Sequence, residues 1–424
     1  MNPPGTESER PLRIVCNGYV EPSAGSIATA GFMLLQELLE RGHDVTFVSK
    51  KSFVHPRSLL ERFPNLSYQD VGDAATDRVH KLATRFGPVT GLAAAWVNHR
   101  KFGRRVMGAI QTLHEADPFD VAFFSGVPAF GRVPGLPAVS WVQGAPGSDV
   151  RSLTERGTLL RRTEGRIRLA GMKAYGRYRL TLGLPDYASS DRVIVGSSTS
   201  RELLTRHYGV DPGKTAALAY PIDLSDFSPR PQSDAEPSDE PLRLLWLGRI
   251  VPRKRLDLLL DAAKLAIEQG CRLHIDIVGN FGFAKGLRKL LDEFPMPEYL
   301  SHHPRVPRPE VVGLLRQCDV LVQPSDDEDF GSSVAEAMAC GTPVVVGKTN
   351  GTGDFMCDQS VRLTDDLPET FAAVLHDLAA RKKAGRLLDP ESTRRTAEEH
   401  FDVRRVVDQL ERMLRTVAAQ GGKR

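Results

Sequence analysis

The chain reads as an α/β protein made of two doubly wound parallel-sheet domains facing each other across a cleft, and three observations predict this. A strand, a turn-rich loop, an amphipathic helix and a second strand follow one another from Arg13 to Ser49, which is a βαβ unit. A proline-rich acidic stretch from Ser228 to Pro241 then breaks the pattern. The α/β rhythm restarts at Leu242. At 424 residues, with about 150 residues per domain as a guide, two or three domains are expected.

In chain order, Arg13 to Cys16 is the first strand, Gly18 to Ser26 a loop of turn formers, Ala28 to Glu40 the helix, and Val45 to Ser49 the second strand after Gly42. Apolar runs at Val121 to Phe124, Ala138 to Val142 and Val193 to Val195 continue a sheet covered on both faces. SPRPQSDAEPSDEP has no apolar periodicity, cannot bury a core and reads as a linker. Beyond it, strands are expected at Leu242 to Leu247, Leu273 to Val278, Val320 to Gln323 and Pro343 to Val346. The last helix, Val403 to Ala418, is amphipathic. The expected organisation is residues 1–227 as the first domain, 228–241 as linker, 242–402 as the second domain, and 403–424 as a closing helix free to pack back on the first.

A net charge of +3 is too small to indicate nucleic acid. The five cysteines, Cys16, Cys271, Cys318, Cys340 and Cys357, are scattered through apolar runs, which supports neither a disulfide framework nor a zinc site and suggests a reducing compartment. MNPPGTESERPL has no signal-like apolar stretch, and no segment approaches the roughly 18 apolar residues that span a bilayer, so a cytoplasmic chain is expected. One region departs from the average. From Arg151 to Leu180, nine Lys or Arg residues (Arg151, Arg156, Arg161, Arg162, Arg166, Arg168, Lys173, Arg177, Arg179) stand against Glu155 and Glu164. A second cluster, His99-Arg100-Lys101 with Arg104 and Arg105, follows the apolar run Gly91 to Val97. Such segments suit peripheral contact with an anionic membrane, and a solvated helix face is the alternative.

Between Pro324 and Val346 the chain reads PSDDEDFGSSVAEAMACGTPVVV, with Glu328 and Glu336 eight positions apart. On one continuous helix they would diverge by about 80° and lie roughly 12 Å apart along the axis. A helix beginning at Ser332 or Ser333 leaves Glu328 in the loop and Glu336 in the first turn, so both can face one pocket at a helix N-terminus, where free N–H groups attract anions. The alternative is a capping box, Ser333 to Glu336. A second constellation follows the first strand of the second domain: Gly248-Arg249-Ile250-Val251-Pro252-Arg253-Lys254-Arg255, then a helical run. Arg249 and Lys254 at such a turn suit a phosphate or diphosphate, against the alternative of solvated charges in a βα turn. There is no Walker loop, zinc spacing or HExxH. Asp327-Glu328-Asp329 satisfies a D-x-D pattern, but with Arg and Lys available no divalent ion is needed, and neither metal nor cofactor is expected.

Together these residues resemble the family 4 retaining glycosyltransferases of the GT-B fold. Glu328 and Glu336 within EDFGSSVAEAMACGTPVV match the E-x7-E motif, and Gly248, Arg249 and Lys254 match the G-R-x3-5-K element. Weaker matches include Gly18 to Gly25, RGHDVTFVS, VIVGSSTSRELL, YPIDLSDFSP, VGNFG and HFDVRRVVDQLERML. The resemblance implies transfer of a hexose or N-acetylhexosamine from a nucleotide-diphospho-sugar, UDP-linked before GDP-mannose, to an acceptor hydroxyl in glycolipid, polysaccharide or glycoside synthesis. It implies retention of anomeric configuration without an enzyme nucleophile, the acceptor attacking from the face the diphosphate leaves. By carry-over, Arg249 and Lys254 stabilise the departing diphosphate, Glu336 binds the ribose hydroxyls and Glu328 holds donor-sugar hydroxyls. The backbone of Phe330, Gly331, Ser332 and Ser333 completes the anion cradle. Gly25, Ser26, Gly248 and Gly279 lie along the donor, and Gln143 and Gly144 are sugar or acceptor contacts.

The chain departs from the family at three places. Ser26 follows Gly25 where paired glycines are common, Gln143-Gly144 stands where a His is common, and Arg255 replaces the usual glycine after the Lys, adding charge beside the phosphates. His43 reads as structural, His302 and His303 as loop residues able to approach the base, and Asp354 as a minor donor-side candidate. Two other function classes remain open at this point: a UDP-sugar epimerase or hydrolase on the same architecture, and a non-catalytic nucleotide-sugar binding protein.

Overall fold

The computed structural model describes residues 10–21, 26–50, 56–72, 88–127, 129–144, 147–229, 237–387 and 389–421. Thirteen strands among them sort into two sheets, one on each side of the linker, whose neighbours all pair in parallel. The first sheet takes β1 (Arg13–Gly18), β2 (Asp44–Ser49), β3 (Leu66–Asp70), β4 (Val121–Ser125), β5 (Ala138–Trp141), β6 (Arg192–Val195) and β7 (Thr215–Ala217) in the order β3-β2-β1-β4-β5-β6-β7. The second takes β8 (Leu242–Leu247), β9 (Leu273–Val278), β10 (Leu300–His303), β11 (Val320–Gln323), β12 (Val344–Val346) and β13 (Val361–Arg362) in the order β10-β9-β8-β11-β12-β13. Each order reverses beside its first strand. In open parallel sheets, ligands bind at that switch point, outside the carboxyl ends of the strands.

Central strands are buried on both faces, as the five buried residues of β4 illustrate, so their apolar runs are plain in the sequence. The four strands not anticipated, β3, β7, β10 and β13, lie at or beside sheet edges and alternate with polar residues. Against the first sheet pack α1 (Ser26–Glu40) and α2 (Arg57–Arg62), and α3 (Pro88–Ala116) leads into β4. Linker residues 230–236, Gly25 and the N-terminal residues 1–9 lie outside the described residues.

Two segments pack on the half of the molecule they do not belong to in sequence. Three helices between β5 and β6, α4 (Ser148–Glu155), α5 (Gly157–Glu164) and α6 (Arg166–Gly183), place Leu153, Leu160 and Leu169 in one apolar cluster with Trp246, Leu256 and Leu287 of the second half. In the other direction, the closing helix Val403–Gly421 crosses to α1, β4 and β5, burying Val406, Val407, Leu410 and Leu414 completely. Arg41 fastens it through Asp408 and Glu411, at 2.7 and 3.0 Å. His43 is buried in the same seam and accepts from the Leu12 N–H at 3.0 Å. Burial lowers the His43 pKa, so the ring is held neutral and its role there is structural.

Leu410→Ala removes a fully buried side chain from this crossing and is expected to cost about 2–5 kcal/mol, read as a lower urea midpoint, with the mutant far-UV spectrum unchanged.

Candidate functional site

The switch point of the second sheet lies between β8 and β11, and the chain leaves β8 and its other neighbour, β9, by glycine turns. Gly248 follows β8 with φ +154°, and Gly279 after β9 has the same φ. A Cβ on Gly279 would stand 1.8 Å from the Gly248 carbonyl oxygen, so the two loops touch through bare backbone. His302 Nε2 meets the Gly279 carbonyl at 3.0 Å and its ring packs edge-on against Phe281. His303 instead faces Asp276, at 3.8 Å.

After Gly248, Arg249 is exposed, and the Pro252–Lys254 turn presents two further cations to one carboxylate. Glu328 Oε2 accepts from Lys254 Nζ at 2.5 Å and from Arg253 Nη1 at 2.6 Å, and Arg253 Nε reaches Asp149 at 2.9 Å. Burial alone would raise the Glu328 pKa, but the fields of Arg253 and Lys254 reverse this and bring it down to about 2. For Lys254, burial is the largest influence and Arg253 and Arg249 act with it, so its ammonium sits below the ordinary lysine value despite Glu328. Arg249, Arg253 and Lys254 against Glu328 and Asp149, three cations to two carboxylates, leave a surplus of one positive charge at the mouth of the sheet. Arg253 gave no signal in the sequence pattern, because only the turn geometry separates it from its neighbour Arg255.

Arg255 does not add charge beside this mouth, contrary to expectation. It is 3% exposed, has φ +51°, and points into a buried network, at 3.3 Å from Asp257 and 3.2 Å from Asp326. The left-handed backbone is what a glycine here would adopt freely, and the ion pairs hold Arg255 in it. Arg156 joins the same Asp326 at 2.7 Å, and Arg151 takes Asp327 at 2.8 Å. Two of the nine cations expected on a solvated or membrane-facing surface are therefore spent on the acidic loop. In the other basic cluster, Arg105 donates to the carbonyls of Val71 and Gly72. The side chains of 91–96 and Arg179 lie outside the described ones.

The loop after β11 ends at Gly331, which caps the helix Ser332–Ala339 with φ +85°. The capping box does not form. The helix starts one residue before Ser333, whose hydroxyl accepts from Gln323 Nε2 at 2.6 Å and faces the Leu247 carbonyl at 3.4 Å. Glu336 consequently opens the second turn rather than closing the first. Burial pushes its carboxyl up to about 7, opposed only by the field of Arg308. Phe330 is 1% exposed and stacks on Tyr220, 4.9 Å between centroids. Glu328 and Glu336 thus sit among different neighbours: the first is charged and clamped, the second poised near neutrality at the helix that carries the free N–H groups.

From the first sheet, Gln143 follows β5 and is 8% exposed, with both amide atoms lacking a partner among the described residues. A buried amide in that condition costs about 1–3 kcal/mol unless a ligand or water fills it. Gly144 donates its N–H to Asp329. Ser26 is exposed at the first position of α1. Asp354 accepts from the Ser198 N–H at 2.8 Å, capping a first-domain helix, Ser198–Tyr208, rather than standing free beside a donor. Among the described residues, no group of three or more His, Cys, Asp or Glu side chains is placed to hold a metal ion. Also among them, no helix is long and apolar enough to cross a membrane.

Residues 230–386 match the family described as Glycosyl transferases group 1. The D-inositol 3-phosphate glycosyltransferase of Thermomonospora curvata is 33% identical over 209 residues, 44% of this chain and 48% of that protein. The protein of the same name from Arthrobacter sp. is 32% identical over 210 residues, 46% and 50% of the two chains. The chain thus spans about half the length of the curated relatives it matches. Among solved structures, sucrose-phosphate synthase from Thermosynechococcus elongatus superposes with TM-score 0.65 at 16% identity, over 96% of this chain and 100% of that one. Anabaena Alr3699/HepE, solved in complex with UDP and glucose, superposes with TM-score 0.60 at 15% identity, over 95% and 99%. These likenesses establish the fold: two facing parallel-sheet α/β domains in the GT-B arrangement.

Because Glu336 is raised from 4.5 to about 7, the folded protein keeps a proton that the unfolded chain releases across that window. Its contribution to stability is therefore present at low pH and lost as pH rises through about 7. Glu336→Gln should abolish this loss, so that its melting temperature gains on the wild type across the window, as differential scanning calorimetry would show.

Proposed function

We propose that the chain is a retaining glycosyltransferase that moves a hexose or N-acetylhexosamine from a nucleotide-diphospho-sugar, UDP-linked in the first instance and GDP-mannose next, to an acceptor hydroxyl. The single observation that carries the reading is the surplus of positive charge from Arg249, Arg253 and Lys254 at the switch point of the second sheet, beside a helix N-terminus. Charge developing on a departing diphosphate is where preorganised cations and helix N–H groups act most strongly. The group 1 glycosyl transferase match over residues 230–386 supports it, as do neighbours of the same fold whose structures hold UDP.

In this reading, Arg249 and Lys254 take the diphosphate, with Arg253 as a third cation. An incoming diphosphate competes with Glu328 for Lys254, and as it does so Glu328 is released toward the donor-sugar hydroxyls. Glu336 accepts the ribose hydroxyls, the N–H groups of Phe330 to Ser333 face the phosphate, and Gly248 and Gly279 let the backbone come close. The unsatisfied amide of Gln143 supports a sugar contact from the first domain, beside Gly144 and the Gly25-Ser26 turn. The acceptor attacks from the face the diphosphate leaves, and the diphosphate takes the acceptor proton. With three cations at that position, the reaction requires no metal ion.

A second element of the proposal is peripheral contact with an anionic membrane. It is supported by Ile167, 91% exposed between exposed Arg166 and Arg168 and a few residues after exposed Arg161 and Arg162 in the chain. Arg168 also donates to the carbonyl of half-exposed Phe283.

In a thermal-shift comparison of UDP, GDP, ADP, dTDP and their sugars, one nucleotide at about one hundred times its Kd should stabilise the protein by roughly 2.7 kcal/mol. The gain should vanish in Arg249→Ala/Lys254→Ala. NMR of the product, with D-inositol 3-phosphate and simple glycosides among the acceptors, should show the donor's anomeric configuration kept, with EDTA present or absent. No shift with any nucleotide would sink the proposal, and sugar release or epimerisation without transfer would move the hydrolase or epimerase reading ahead. Sedimentation with phosphatidylglycerol vesicles but not phosphatidylcholine ones is expected, and should be lost in Arg166→Glu/Ile167→Asp.

A further inference from the structure

Asp329 is 3% exposed and sits between Glu328 and Phe330, yet among the described residues no cation pairs with it. Its carboxylate is instead claimed by groups from the first half of the chain. Oδ2 accepts from the Gly144 N–H at 3.0 Å and from the Tyr220 hydroxyl at 2.5 Å, and Oδ1 accepts from the Gly196 N–H at 3.0 Å. Gly144 follows β5 and Gly196 follows β6, so one carboxylate joins the carboxyl ends of two first-sheet strands to the loop of the second sheet. The fit is close on both sides. A Cβ on Gly196 would stand 2.8 Å from Asp329 Oδ2, and one on Gly351 would stand 2.0 Å from the Asp329 carbonyl oxygen.

Burying a carboxylate without a counter-cation is expensive, and burial pushes Asp329 above the ordinary aspartate value. An apolar residue would fill the same space without that cost. What an apolar residue lacks is the ability to hold two strand-end amides and a phenol at fixed distances. Tyr220 ties the bond into the aromatic column: its ring stacks on Phe330 and meets Trp141 edge-on at 4.9 Å. Gln143 precedes Gly144 and Glu328 precedes Asp329, so the bond fixes the register between the two residues proposed to meet the sugar from opposite domains.

We infer that Asp329 is a positioning residue that latches the two domains in their observed arrangement, setting Gln143 opposite Glu328 across the cleft. The inference rests on the donor-site reading above. The diphosphate and ribose contacts of that reading, Arg249, Lys254 and Glu336, all belong to the second domain, so the latch governs the geometry of transfer and not the grip on the nucleotide.

The experiment uses the full chain and two variants. Asp329→Asn keeps size and shape but turns an amide N–H toward groups that themselves donate, and Tyr220→Phe removes one donor alone. Small-angle scattering should show a larger radius of gyration in Asp329→Asn, and a smaller change in the same direction in Tyr220→Phe. Nucleotide affinity by calorimetry should stay within about twofold of wild type, as for independent sites. With transfer established, kcat should fall by about 10- to 100-fold while the donor KM holds, the effect of a small displacement of reacting groups. Unchanged radius and unchanged kcat in both variants would overturn the latch. So would equal loss of nucleotide affinity and kcat, which would mark Asp329 as support for the donor loop only. If Asp329→Asn does not fold, Tyr220→Phe decides by the same readouts. The scattering result needs no activity, so it separates failure of the latch from failure of the transferase reading.

Discussion

Four acidic side chains in a row cannot enter an interior unless each finds its own partner, and the rest of this structure is arranged around meeting that condition. Asp326 takes Arg156 and Arg255, Asp327 takes Arg151, Glu328 takes Arg253 and Lys254, and Asp329 takes two backbone amides and a tyrosine hydroxyl. Asp327 and Asp329 take these partners from the first half of the chain, and Asp326 takes one from each half. A removed partner would leave an uncompensated buried charge, which is far costlier than losing a surface pair. The acidic loop therefore both shapes the site and holds the two domains together.

The same condition explains why residues 148–183 lie where they do. Their cations are needed at the acidic loop, and their apolar residues Leu153, Leu160 and Leu169 complete the core of the second domain. The closing helix returns the exchange by burying Leu410 and Leu414 against the first sheet. Two reciprocal crossings, one mainly electrostatic at its tip and one mainly apolar, leave the cleft bounded by segments from both halves. Relative domain position is therefore set by shared apolar core as well as by the acidic-loop contacts, since one buried cluster runs from Phe123 and Trp141 to Phe330 and Val334.

Within the cleft the two motif carboxylates are tuned apart by their surroundings. Glu328, clamped by two cations, stays charged at any ordinary pH, and Glu336, half-buried with only Arg308 to help it, hovers near neutrality. Carboxyls held in such different states can serve different parts of one ligand. Their spacing in the sequence says nothing of this difference, which comes from the turn after β8 on one side and the small-residue helix on the other.

Sequence alone was enough for the two parallel sheets, their central strands and the motif positions. An apolar run covered on both faces and a strand–turn–helix rhythm are local signals, and β8, β9 and β11 begin and end at the residues the pattern marks. Edge strands such as β3 and β10 were hidden because a half-exposed strand mixes polar and apolar residues as a loop does. Tertiary structure alone decided where charge goes. Arg253, Lys254 and Arg255 are consecutive and chemically alike, yet a left-handed backbone at Arg255 turns it into the Asp326 network while its two neighbours meet Glu328. Asp327, Glu328 and Asp329 are likewise consecutive acids, yet each takes different partners. Burial and pairing are sums over groups distant in the chain, and no local pattern carries that information.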